Sequence, residues 1–244
     1  MNNDLHILTV KEIVTQNFQT AAIFEKYSLD FCCRGGKTIE QACAEKGLDA
    51  ASIINELSAV SAGAAADYSR FTEWPLDFLS MYIIINHHTY VRNVLPTLFA
   101  HTQKVSTVHG ANHPEVVKIA EIFDRVAADL QKHMQMEEQI LFPYIRQLLD
   151  AQQGKRMLTR APFGSIVNPI RTMEEEHQVS GDDMYEIRRL SSDYVPPEDS
   201  CMTYRISFQE LQEFERDLHQ HVHLENNILF PKAIQLEEEL FAKN

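Results

Sequence analysis

His133-Met134-Gln135-Met136-Glu137-Glu138-Gln139-Ile140-Leu141-Phe142-Pro143 and His221-Val222-His223-Leu224-Glu225-Asn226-Asn227-Ile228-Leu229-Phe230-Pro231 are two copies of one phrase, H-x3-E-x2-I-L-F-P. Residues four apart on a helix lie one above the other on a single face, so each copy brings an imidazole and a carboxylate to one spot. A phrase written twice also reveals architecture, because an internal repeat is one structural unit used again. Outward from each copy lies one more histidine in the same register. His88 precedes His133 by 45 residues, and His177 precedes His221 by 44. The chain from Leu76 on therefore reads as two helical hairpins, each supplying one lone histidine and one His-x3-Glu pair. Helical patterns run over about 76–104, 114–149, 164–192 and 202–242, with the loops around 105–113, 150–163 and 191–200 between them. Four such helices joined by modest loops predict an antiparallel up-down bundle, whose middle is a natural place for a metal site.

The donors of such a site are His88, His133, Glu137, His177, His221 and Glu225. Two histidines for each of two ions, with both glutamates shared, give every ion two nitrogens and two oxygens. A bridging oxo or hydroxo group would bring each ion to five donors and leave room for a small exogenous molecule. Imidazole mixed with carboxylate suits iron or manganese, whereas a closed structural zinc site takes four tetrahedral ligands. No cysteine stands in the phrase, which excludes an iron–sulfur cluster at this spot. The alternative is a duplication kept for packing, with each His and Glu forming a surface pair.

Neighbouring histidines compete for the same role. Met81, Ile84, His88, Val91 and Leu95 form an apolar stripe at helical spacing, so His88 is expected to face inward and His87 to sit on the wetter face. His219, His221 and His223 alternate and cannot all point one way; Glu225 selects His221. Glu138 is expected at the surface, and Met134 and Met136 as core filler rather than copper ligands. His101, His109 and His113 belong to no constellation, and Cys43 and Cys201 read as ordinary buried residues. The adjacent Cys32 and Cys33, followed by Arg34-Gly35-Gly36, admit either a redox or metal-binding role or simple packing of one thiol. A disulfide between neighbours would be strained and easily reduced.

Eight glycines and nine prolines in 244 residues are few, which favours long helices over an all-β chain. A formal net charge of −13 opposes binding to a nucleic-acid backbone. The N-terminal residues carry no signal-peptide pattern, no apolar stretch is long enough to cross a bilayer, and the four cysteines form no disulfide framework. These features predict a cytoplasmic protein with no nucleic-acid or membrane partner; a homodimer stays open. Residues 1–60 read as a small helical domain in which Thr38 and Gln41 have capping-box spacing. Residues 61–75 read as a linker, and 76–244 as the bundle.

Taken together, Leu29-Asp30-Phe31-Cys32-Cys33 with Gly35-Gly36, His88, His133-x3-Glu137, Glu176-His177 and His221-x3-Glu225 resemble the repair-of-iron-centres family of di-iron proteins, relatives of the hemerythrins. The resemblance covers nearly the whole chain and departs at Arg34, where the family more often has glycine. It implies an all-α fold with a hemerythrin-like antiparallel four-helix bundle and a small N-terminal helical domain. It also implies two non-haem iron ions held by the six residues, with Glu137 and Glu225 bridging. The implied role is repair of iron–sulfur proteins damaged by nitrosative and oxidative stress, with those proteins as clients and NO, O2 or H2O2 as small ligands. Two rivals fit the same residues: a hemerythrin-like O2/NO-binding sensor, and a di-iron NO reductase or peroxidase. In the repair role Cys32 and Cys33 are candidates to receive iron, NO or electrons.

Overall fold

The computed structural model describes residues 5–62 and 71–242, and among these the chain is helical with no strand. Much of the expected linker, residues 63–70, falls outside the described residues. Internal contacts define two compact units. One comprises residues 1–75 with 222–232, the other 76–221 with 233–244.

In the first unit four short helices follow one another: α1 (Val10–Gln16), α2 (Ala21–Lys26), α3 (Ile39–Lys46) and α4 (Ala50–Ala62). Their ends are chemically specified. Thr9 with Glu12 and Thr38 with Gln41 form capping boxes at the starts of α1 and α3, the second as the spacing predicts. Gly47 ends α3 in the left-handed region at φ 65°, where a side chain would be strained. Phe24, Ile39, Cys43, Ile53 and Leu57 fill the interior.

From Leu76 onward the chain forms helical rods packed antiparallel, and their ion pairs give the register. The first rod is α5 (Leu76–Ile83), a π-turn (Ile84–His88) and α6 (Thr89–His109). The second is α7 (Pro114–Met136), a π-turn (Glu137–Leu141) and α8 (Phe142–Gln152). Asp77 faces Arg146 at 3.2 Å while His88 faces Glu138 at 2.6 Å, so one rod descends as the other climbs. The third rod, α9 (Val167–Leu190), pairs with α7 through Arg125–Asp183, and with α10 through Arg188–Glu215. The fourth runs from α10 (Met202–Leu224) through a π-turn (Glu225–Leu229) to α11 (Phe230–Ala242). His101–Glu210 and His87–Asp217 pair the first rod with it in antiparallel order.

Three π-turns thus interrupt these rods, and each touches a predicted donor: the first ends on His88, and the others begin on Glu137 and Glu225. The proline of the repeated phrase supplies a cause. Pro143 and Pro231 have no N–H, and in an α-helix each ring would collide with the carbonyl four residues back. The turn ahead of each proline is widened instead. The amides of Phe142 and Phe230 donate to Glu137 and Glu225, five residues back.

The π-turn at 84–88 also corrects the expected stripe. It inserts one residue into the helical count, so the inward face upstream runs Leu76, Leu79, Ile83, and downstream Val91, Leu95, Leu98. Met81 is exposed, Ile84 is half-buried, and His87 and His88 are both buried. The extra residue in the turn shifts the inward face by one position, so that Ile83 above it and both His87 and His88 within it face inward.

Between α2 and α3 the Cys-Cys segment is held close. The amides of Val10 and Lys11 donate to the carbonyls of Lys37 and Gly35, each at 2.9 Å. A Cβ on residue 35 would lie 2.5 Å from the Phe31 carbonyl oxygen and 2.8 Å from Cβ of Lys11, so only glycine fits. Gly35→Ala is expected to lower stability by about 1–3 kcal/mol. Urea unfolding measures it, and an unchanged midpoint would show that the turn relaxes at no cost.

Candidate metal centre

The six residues selected from the repeat lie together. His88, Glu137, His221 and Glu225 form one group whose donor atoms are all within 4.8 Å of one another. His133, Glu137, His177 and Glu225 form a second with the same closeness. Both glutamates belong to both groups. None of the six residues is more than 3% exposed, which rules out the reading of surface His–Glu pairs.

The local helix geometry explains the convergence. Within α7, His133 lies one turn ahead of Glu137, with Nε2 and Oε2 3.5 Å apart. Antiparallel packing then sets His177 against His133, with their Nε2 atoms 2.8 Å apart, and His88 against His221, with theirs 3.2 Å apart. His88 Nε2 is 3.3 Å from Glu137 Oε2.

Carboxylates behind the rings decide the tautomers. His88 Nδ1 lies 2.6 Å from Glu138 Oε1, and His133 Nδ1 lies 2.7 Å from Glu176 Oε2. A carboxylate accepts, so each neutral ring carries its proton on Nδ1 and turns a bare Nε2 lone pair inward. Outer carboxylates of this kind orient metal-bound histidines and raise their basicity. Glu138 also accepts from Arg92 at 2.6 Å, and His88 and Arg92 together hold its carboxyl below the usual range.

The donor set fits a pair of cations. It gathers two carboxylates and four imidazoles in a dry interior, with lone pairs of facing rings directed at each other. Buried carboxylates are tolerated when paired, hydrogen-bonded or bound to a metal, and two carboxylates converging with four imidazoles form a donor set suited to the last. The oxygen and nitrogen donors suit first-row metals such as iron.

Several neighbours fall elsewhere than the sequence implied. Glu138 is an outer partner of His88 rather than a bystander, and Glu176 serves His133 in the same way. Only the register between helices reveals either one. His87 is buried, not wet: Asp217 takes its Nδ1 at 2.9 Å, and its ring stacks on His221 with centroids 5.4 Å apart and planes 8° apart. It belongs to neither donor group. His223 is buried too, between Phe18 and Phe31, and burial pushes its pKa down to about 4. Cys201 is exposed, 3.2 Å from His109 Nε2. It stands one residue before α10, where a side chain can stay in solvent, which corrects its reading as a core residue.

Cys32 and Cys33 lie together on the turn after α2. Their sulfurs are 3.6 Å apart with no disulfide between them, and Asp30 completes a third group of possible metal donors. Asn226 and Asn227, the two residues after Glu225, donate to the carbonyls of Cys32 and Phe31, each at 3.3 Å. In the first copy of the phrase these places hold Glu138 and Gln139, so the copies differ where one serves a histidine and the other serves the cysteine turn.

Replacing Glu138 or Glu176 with alanine is expected to leave the fold intact and weaken iron binding roughly 10- to 100-fold. Chelator competition measures this, and unchanged retention of iron in both variants would remove the outer carboxylates from the account.

Residues 80–233 match the hemerythrin HHE cation binding domain, and residues 8–61 match ScdA_N, a domain of unknown function (DUF542). The iron-sulfur cluster repair protein ScdA of Staphylococcus haemolyticus is 31% identical over 91% of this chain and 96% of its own. The iron-sulfur cluster repair protein YtfE of Citrobacter koseri is 34% identical over 88% of this chain and 91% of its own. That of Pectobacterium atrosepticum is 35% identical over 87% and 90%. Among the described residues no helix is long and apolar enough to cross a membrane. With a buried histidine–glutamate donor set on a twice-written helical phrase, the chain belongs to the hemerythrin HHE cation-binding family.

Proposed function

We propose that this protein binds two iron ions at His88, His133, Glu137, His177, His221 and Glu225, and uses them to restore iron–sulfur clusters damaged by nitrosative or oxidative stress. The observation that carries the reading is that Glu137 and Glu225 each belong to both donor groups. That arrangement is what two adjacent cations sharing two carboxylates require. Similarity to the repair proteins ScdA and YtfE along most of the chain supports the choice of clients.

In this reading His88 and His221 would hold one ion and His133 and His177 the other, with Glu137 and Glu225 available to both. When bound, the iron would supply exchangeable metal and reactivity toward NO, O2 or H2O2. The protein's part is positional. Glu138 and Glu176 accept from Nδ1 of His88 and His133, which orients each ring with Nε2 toward the donor group. His87, held by Asp217, packs on His221 and fixes its plane. The six side chains are buried, so the interior excludes bulk water. We place the protein in the cytoplasm, where the client clusters and reduced thiols are.

Two measurements test this. Metal analysis with Mössbauer spectroscopy should find a coupled pair of irons in the wild type, lost in Glu137→Ala plus Glu225→Ala. Incubation of the iron-loaded protein with an NO-damaged iron–sulfur protein should move iron to the client and restore its cluster. Iron that stays put while O2 or NO binds reversibly would favour the sensor. Sustained N2O or water production with a reductant would favour the enzyme.

A further inference from the structure

The pair Cys32 and Cys33 is left unused by the bundle chemistry, yet its geometry is specific. Asp30 Oδ1 accepts the backbone N–H groups of both cysteines, each at 2.9 Å, so one carboxylate oxygen sets the turn. The turn directs both thiols to one side, with the sulfurs 3.6 Å apart and Cys32 Sγ 3.4 Å from Asp30 Oδ1. A tetrahedral ion with metal–sulfur bonds of about 2.3 Å holds its two sulfurs about 3.8 Å apart. The two thiols therefore already stand at the bite of a chelating dithiolate. Cys32 is buried, Cys33 half-buried and Asp30 exposed, so the cluster is anchored on one side and open on the other.

We propose that Asp30, Cys32 and Cys33 form a second metal site that takes one divalent cation with affinity for thiolate, ferrous iron in the cell, and leaves its fourth position open. Binding is ligand exchange without redox change: two thiols lose their protons to solvent, two metal–sulfur bonds form, and the Asp30 carboxylate adds an oxygen. Without a metal, the hydrogen bond to Cys33, burial and the charge of Asp30 all raise the pKa of Cys32, and these costs of ionisation are what a bound cation offsets. Three protein ligands with one position free make an exchangeable site rather than a closed structural one. A client's thiolate can enter at the free position, and the cation departs as the two cysteines regain protons.

The site is tied to the helix that carries Glu225. The Asn226 side chain donates to the Cys32 carbonyl, and the Asn227 side chain reaches both the Phe31 carbonyl and His223. Phe18 and Phe31 close over His223 at centroid distances of 5.6 and 6.0 Å. The metal site stands on its own geometry. Its service as a station for iron rests on the repair reading above.

Cobalt(II), added anaerobically to the full-length, iron-loaded protein, is the test. About one equivalent should bind with a thiolate-to-cobalt charge-transfer band and the visible bands of tetrahedral cobalt. Cys32→Ser plus Cys33→Ser should abolish the band, although Cys43 and Cys201 remain. Asp30→Asn keeps an oxygen to accept the two amides and so preserves the turn; it should weaken binding at least roughly tenfold. The band should persist in Glu137→Ala plus Glu225→Ala, and in wild type stripped of iron. A wild type without the band, or a double-serine variant that keeps it, overturns the proposal. An unchanged Asp30→Asn removes the carboxylate from it. Presence of the band in a protein that transfers no iron to clients would leave the site standing and sink the repair reading.

Discussion

Two glutamates buried among four histidines are the constraint around which the rest of the bundle is arranged. An ionised carboxylate taken out of water costs several kcal/mol or more unless something cationic meets it. Glu137 and Glu225 are fully buried. Their presence commits the fold to a centre that is complete when cations fill it, and it turns metal binding into folding free energy. The outer layer follows from the same demand. Glu138 and Glu176 act on the far nitrogens of His88 and His133, so the neutral rings carry the proton there and turn their inner nitrogens toward the centre.

The widened turns are the mechanical counterpart of this electrostatics. An α-helix at constant pitch offers an inward residue every three or four positions. Each π-turn breaks that pitch beside a donor, at His88, Glu137 and Glu225. Proline supplies the break in the two repeated copies, because it forbids the ordinary hydrogen bond just past the site. The phrase I-L-F-P is therefore part of the site's construction, although none of its side chains is a donor.

Much of this was legible in the sequence because the chain says it twice. The repeat gave the hairpins, their register gave His88 and His177, and the helix spacing within each copy paired His133 with Glu137 and His221 with Glu225. What stayed hidden depended on registers between helices or within widened turns. Glu138 is adjacent to Glu137 in sequence but meets His88 across the hairpin, which no single-helix periodicity reports. Met81 was assigned inward by a uniform period that the π-turn at 84–88 breaks. Cys201 looked buried because cysteine usually is, and its place one residue ahead of α10 left it in solvent. The cysteine turn was visible as a motif, but the role of Asp30 in shaping it required the backbone.

The turn at 84–88 carries a lesson about lineage as well. Because a π-turn is one residue longer than the α-turn it replaces, a single-codon deletion there would restore a plain helix. The spacing between Leu79 and His88 would shorten by one while every donor residue type survived. Chain length at this point thus matters to the site as much as residue identity does. Relatives that differ by a one-residue gap in the turn would present a different histidine to the same cavity, and would be expected to differ in chemistry more than their percentage identity suggests.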